Sequence, residues 1–150
     1  EDTAIVLGID TSGTMKGKPL ENAKNAVSEF ISRLAPNDKA TILTFNSDVN
    51  IVSGFTSDKE ELYKAVHGIK IAGKLTKLYD AMFEAIRLTS LAGLPSRRVL
   101  IFLSDGKDEG SSATLEDCIK QAVDNNLQVY TIGYESILQS VGKNYFKYYK

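Results

Sequence analysis

Asp10-Thr11-Ser12-Gly13-Thr14-Met15 follows the apolar run Ala4-Ile5-Val6-Leu7-Gly8-Ile9. That run is continuous, β-branched in part and too short for a helix, which predicts a strand covered on both faces. The hexapeptide then falls where a buried strand runs out at the edge of a sheet. It offers one carboxylate and three hydroxyls. Oxygen donors of this kind suit Mg²⁺, Ca²⁺ or Mn²⁺, whereas thiolate and imidazole select softer metals. In an extended chain, alternation places Asp10, Ser12 and Thr14 on one side, and Gly13 supplies the bend that converges them.

Working outward, residues 19–34 carry apolar side chains at Leu20, Ala23, Val27, Phe30, Ile31 and Leu34, a helical period, with Pro19 in the first turn. Pro36-Asn37-Asp38 breaks it. Ala40-Thr41-Ile42-Leu43-Thr44-Phe45 predicts a second strand, and Val49-Asn50-Ile51-Val52 follows the turn cluster Asn46-Ser47-Asp48 closely enough to form a hairpin. One strand is therefore expected antiparallel to its neighbour. Ser57-Asp58 with Glu60 and Glu61 predicts a helix N-cap and acidic first turn, and Leu62, Ala65, Val66 and Ile69 give a short helix.

Ala72-Gly73-Lys74-Leu75-Thr76 is a loop feeding a third helix with an inward face of Leu78, Ala81, Met82, Ala85 and Leu88, which sets Thr76 at a helix N-terminus. Residues 98–103 form the most apolar strand after the first, and Ser104-Asp105-Gly106 again places a carboxylate where a strand ends. A helix carrying Leu115, Cys118, Ile119, Ala122 and Val123 is followed by a strand over 127–133. A short helix over 136–141 and an edge-like strand over 144–148 complete the expectation. Strands and helices alternating with short connections imply an open α/β fold. It is a doubly wound, mostly parallel six-stranded sheet with one antiparallel strand and helices on both faces. Such sheets bind ligands at the carboxyl ends of their strands, where Asp10, Ser12, Thr14 and Asp105 all lie.

Composition narrows the function. The chain has 150 residues, enough for one domain with a real core, and a net charge of −1 argues against a general polyanion binder such as a nucleic-acid protein. A single cysteine, Cys118, excludes an internal disulfide and a thiolate metal cluster. No apolar run approaches the ~20 residues of a membrane span. The sequence starts directly before a strand and stops in Tyr148-Tyr149-Lys150, which predicts a single domain, residues 1–150, excised from a longer protein.

Three dispersed motifs in order, Asp10-x-Ser12-x-Thr14, a threonine before the third helix, and Leu103-Ser104-Asp105-Gly106, resemble the von Willebrand factor type A domain with its metal-ion-dependent adhesion site. The resemblance covers nearly the whole chain and is similar in pattern to bacterial and archaeal members. It implies that Ser12, Thr14 and Thr76 bind Mg²⁺, or Ca²⁺ or Mn²⁺, through their hydroxyls. Asp10 and Asp105 would act mainly through waters or hydrogen bonds. It further implies a protein partner whose Asp or Glu completes the coordination and a monomeric interaction domain without catalytic residues; family members serve both outside and inside cells, and an extracellular, cell-surface or periplasmic place is only slightly favoured over the cytoplasm. Two positions depart from the family pattern. Thr14 replaces the usual serine, and Gly73-Lys74-Leu75 stands where many members have more glycine, which reduces the loop's freedom to move.

Other readings compete residue by residue. Asp10 and Ser12 alone would suit a helix cap. Asp108 and Glu109 read as a solvated acidic loop before they read as an enlarged cation site, and His67 as a favourable charge at a helix end. The aromatic and lysine-rich stretch 143–150 reads as an edge strand with no binding role. The rival function is a haloacid-dehalogenase-like phosphatase with Asp10 as nucleophile and Mg²⁺ as cofactor. That family usually carries a second aspartate two residues later, and Ser12 cannot serve as its general acid/base at neutral pH.

Overall fold

The computed structural model describes residues 2–91, 93–104 and 108–133. Five strands form one sheet in the order β3-β2-β1-β4-β5, comprising β1 (Thr3–Asp10), β2 (Lys39–Phe45), β3 (Val49–Thr56), β4 (Arg97–Leu103) and β5 (Gln128–Ile132). β1 runs parallel to both β2 and β4, β4 runs parallel to β5, and the β2–β3 hairpin supplies the one antiparallel pair. The mixed, mostly parallel sheet expected from the sequence is thus present. The expected sixth strand over 144–148 and the helix over 136–141 lie outside the described residues.

Alternation along the central strands divides the core in two. Ile5, Leu7 and Ile9 of β1 and Val99, Ile101 and Leu103 of β4 face one layer, with α1 (Lys18–Ser32) and α2 (Lys59–His67). Val6, Leu100 and Phe102 face the other, with α3 (Leu78–Leu88) and α4 (Leu115–Asp124). Every residue of β1 is buried, as a strand covered on both faces requires. Gly8 is the one gap on the second face. Phe102 fills it, and its ring meets Phe45 edge to face at 6.1 Å and 72°.

Local signals set most element ends. Asp58 caps α2 by accepting from the amides of Glu60 at 3.0 Å and Glu61 at 3.3 Å. Thr114 caps α4 in a reciprocal box with Asp117. Of the apolar stripe on α4 only Cys118 is buried, while Leu115, Ile119 and Val123 are 45%, 55% and 72% exposed. Periodicity identified the helix but not how much of its apolar face finds cover among the described residues. No helix among those residues is long and apolar enough to cross a membrane.

Candidate metal centre

β1 ends at Asp10, whose carboxylate is fully buried and occupied at both oxygens. Oδ1 accepts from the Ser12 amide at 2.8 Å, and Oδ2 accepts from Ser104 Oγ at 2.6 Å. The first bond turns the chain over the strand end. The second ties β1 to the residue that follows its neighbour β4. Asp10 is therefore fixed from two directions, as a carboxylate acting through hydrogen bonds would be.

The chain does not stay extended beyond Ser12. Gly13–Met15 forms one 3-10 turn, closed by the Met15 amide donating to the Ser12 carbonyl at 2.9 Å, with Met15 fully buried beneath it. This turn, rather than strand alternation, returns Thr14 Oγ1 to within 3.2 Å of Ser12 Oγ. Gly13 opens this bend. The positive φ in this segment is at Gly17, 84°, where the chain enters α1. Thr14 is exposed, while Ser12 is only 1% exposed.

Thr76 comes from 64 residues away. Its hydroxyl donates to Ser12 Oγ at 3.2 Å, it is 3% exposed, and it sits immediately before the N-cap of α3. The Thr76 carbonyl accepts from the Glu109 amide at 2.7 Å, which binds the start of α3 to the chain beyond β4. Two hydroxyls, Thr14 from the same loop and Thr76 from another, thus converge on Ser12 Oγ. Asp105 lies outside the described residues.

This donor set fits a small dication. Ligands at right angles on an octahedron with bonds of about 2.1 Å stand about 3.0 Å apart, and bonds of about 2.4 Å put them about 3.4 Å apart. The two 3.2 Å oxygen separations at Ser12 fall between those values, so the hydroxyls need little movement to become neighbouring ligands. Among the described residues no group of three or more His, Cys, Asp or Glu gathers, so the donors seen here are hydroxyls, oxygen ligands of the kind hard dications accept.

The neighbouring acids have other work. Asp108 Oδ1 accepts from the Tyr79 amide at 2.8 Å and from Ser111 Oγ at 2.6 Å, so it satisfies an orphan donor in the first turn of α3. Asp80 accepts from the amides of Ser112 and Ala113 at 3.0–3.1 Å. Sequence reading placed Asp108 in a solvated acidic loop. Its capping of a helix 29 residues upstream leaves no local signal. Cys118 faces inward from α4 with its thiol pushed up to about 11, by burial first and then by Asp117, Asp108 and Asp80. It stays protonated at neutral pH and is a poor metal ligand.

A family model described as the von Willebrand factor type A domain matches residues 4–146. Among curated proteins, inter-alpha-trypsin inhibitor heavy chain H4 of Sus scrofa is 25% identical over 142 residues, covering 87% of this chain and 15% of the relative. An uncharacterized protein of Synechocystis is 30% identical over 139 residues, covering 87% of this chain and 31% of its own length. The chain therefore spans a minor part of the curated relatives it matches. Two solved structures share the fold. A von Willebrand factor type A protein from Catenulispora acidiphila has a TM-score of 0.76 at 24% identity, covering 89% of this chain and 33% of the other. An aerotolerance-related membrane protein of Bacteroides fragilis has a TM-score of 0.75 at 22% identity, covering 87% and 67%.

Proposed function

Because this chain belongs to the von Willebrand factor type A domain family, we propose that it is a protein-binding module whose affinity depends on a divalent cation. Ser12, Thr14 and Thr76 hold the ion through their hydroxyls, and Asp10 and Asp105 support it through hydrogen bonds or waters. Mg²⁺ is the favoured ion, with Mn²⁺ and Ca²⁺ as alternatives. A bound dication supplies an electrophilic point on the surface that accepts a carboxylate from a partner's Asp or Glu. The observation that carries the reading is the gathering of the Ser12, Thr14 and Thr76 hydroxyls from two loops, next to a buried Asp10 that is hydrogen-bonded at both oxygens.

The phosphatase reading fares worse against the same geometry. A nucleophilic aspartate must present an oxygen to substrate. Asp10 is fully buried, and both its oxygens already accept short hydrogen bonds. Ser12 stands where that chemistry needs a second carboxylate. We therefore assign the domain no catalytic residue.

The test is selection from a random peptide library displayed to the chelator-stripped domain with and without millimolar Mg²⁺. Peptides enriched only with Mg²⁺ should carry an Asp or Glu at a fixed position and lose binding on Ser12→Ala. Enriched peptides lacking an acid, or unaffected by chelator, would contradict the proposal.

A further inference from the structure

Thr76 and Ser12 lie on different loops, so something other than local chain geometry must hold their hydroxyls together. Asn46, just past the end of β2, stands at the junction of those loops. It is 4% exposed, and its groups reach three segments. Its amide nitrogen Nδ2 donates to Thr11 Oγ1 at 2.8 Å, beside Ser12. Its carbonyl accepts from the Lys77 amide at 3.0 Å, beside Thr76. Its Oδ1 accepts from the Asp48 amide at 2.9 Å, and its own amide donates to the Asp48 carbonyl at 2.9 Å, which closes the β2–β3 turn.

The loop before Thr76 is fastened to the same point. Gly73 has φ +72°, and a Cβ there would lie 2.7 Å from Asn46 Oδ1, so the chain passes directly over the side-chain amide. Ser47 Oγ accepts from the amides of Lys74 and Leu75 at 3.3 and 3.2 Å. The Ala72 amide donates to the Thr11 carbonyl at 2.9 Å. Segment 72–77 is thus pinned along its length before α3 begins.

We propose that Asn46 is the positioning residue of the metal centre: its side chain, bonded to Thr11 and to the Asp48 amide, fixes the turn whose main-chain carbonyl at Asn46 receives the Lys77 amide, and so holds the Thr76 hydroxyl at coordinating distance from Ser12 before any cation arrives. The inference rests on the metal-site reading given above. Its physical basis is preorganisation. A neutral hydroxyl attracts a cation only through an oriented dipole, so a threonine free to swing must lose that freedom on binding, whereas a held one has already lost it on folding.

The test is a cycle of Mn²⁺ titrations on folded protein, comparing wild type, Asn46→Ala, Thr76→Ala and the double variant. Asn46→Ala should weaken Mn²⁺ about 10-fold, as removal of an outer partner of a metal ligand does. In the Thr76→Ala background the same change should have less than about a twofold effect, because coupled residues are not additive. Thr11→Val keeps the shape at that position but removes the Oγ1 that accepts from Asn46 Nδ2. It keeps the test open if Asn46→Ala fails to fold, and it should weaken Mn²⁺ in the same coupled way.

A purely structural Asn46 would lower thermal stability while leaving the affinity of the folded protein unchanged, and that result overturns the proposal. So does an equal loss with and without Thr76. Wild type that binds no Mn²⁺, or binding untouched by Ser12→Ala and Thr76→Ala, overturns the metal reading and this inference with it. Binding sensitive to Thr76 but indifferent to Asn46 overturns the inference alone.

Discussion

Asp10→Ala and Asp10→Asn are both expected to lower Mg²⁺ affinity at least about 100-fold, yet to differ in stability, because Asp10 has two separable roles. Its charge favours the cation, and its two oxygens satisfy the Ser12 amide and the Ser104 hydroxyl at a fully buried position. Alanine removes both acceptors, at a cost of about 1–3 kcal/mol for leaving buried donors unpaired. Asparagine removes the charge but retains a carbonyl for the Ser12 amide and an NH₂ that can donate to Ser104 Oγ. Thermal melts in chelator should therefore place Asp10→Ala about 4–8 °C below Asp10→Asn. Equal melting temperatures would mean that the two hydrogen bonds contribute nothing to the fold.

The largest purely structural effect is expected at Gly8. A Cβ there would sit 2.4 Å from Phe102 Cδ1 and 2.7 Å from Cε1, with Leu43 Cδ1 at 3.4 Å on the other side. Phe102 has no room to retreat. It is fully buried on β4, paired in register beside Gly8, and braced edge to face by Phe45. Gly8→Ala should cost about 3 kcal/mol, at the upper end of overpacking penalties in a close-packed core. Denaturant unfolding would show it as a lower midpoint at unchanged slope. Adding Phe102→Leu should restore part of the loss, and a double variant less stable than either single one would show that the strain lies elsewhere.

Much of this architecture was legible because it follows from local patterns. The continuous apolar runs of β1 and β4 imply burial on two faces, and both strands are buried in the sheet. The turn cluster at 46–48 implied the antiparallel hairpin, which forms. Ser12 and Thr14 were identified by type and spacing and Thr76 by the family resemblance, and their hydroxyls come together.

What was not legible depends on bonds between distant segments. Local alternation gave the wrong reason for the approach of Thr14 to Ser12, since a 3-10 turn over buried Met15 brings it there. Asn46 read as an ordinary turn residue, because its links to Thr11 and Lys77 span about 30 residues each way and leave no periodic trace. Asp108 read as solvated for the same reason. The exposed stripe on α4 marks the limit of periodicity, which reports that a face is apolar and not whether anything covers it.

The reduced glycine content of the loop before Thr76 takes on a physical meaning in this light. Gly73 alone carries the positive φ that lets the chain cross Asn46, and Lys74 and Leu75 are fastened through their amides to Ser47. The loop is held by hydrogen bonds from the hairpin turn on one side and, through the Thr76 carbonyl, by Glu109 on the other. Its side chains can vary as long as those backbone positions hold.

Calorimetric titration of the chelator-stripped domain with Mg²⁺, beside Ser12→Ala, tests the metal centre most directly. Ser12 is the better control than Asp10, because its hydroxyl is shared between Thr14 and Thr76. The account predicts one-to-one binding by the intact domain and none by Ser12→Ala, with the variant still folded in chelator although its melting temperature falls as the buried Thr76 hydroxyl loses its acceptor. Equal binding by the two proteins, or none by either, would contradict it.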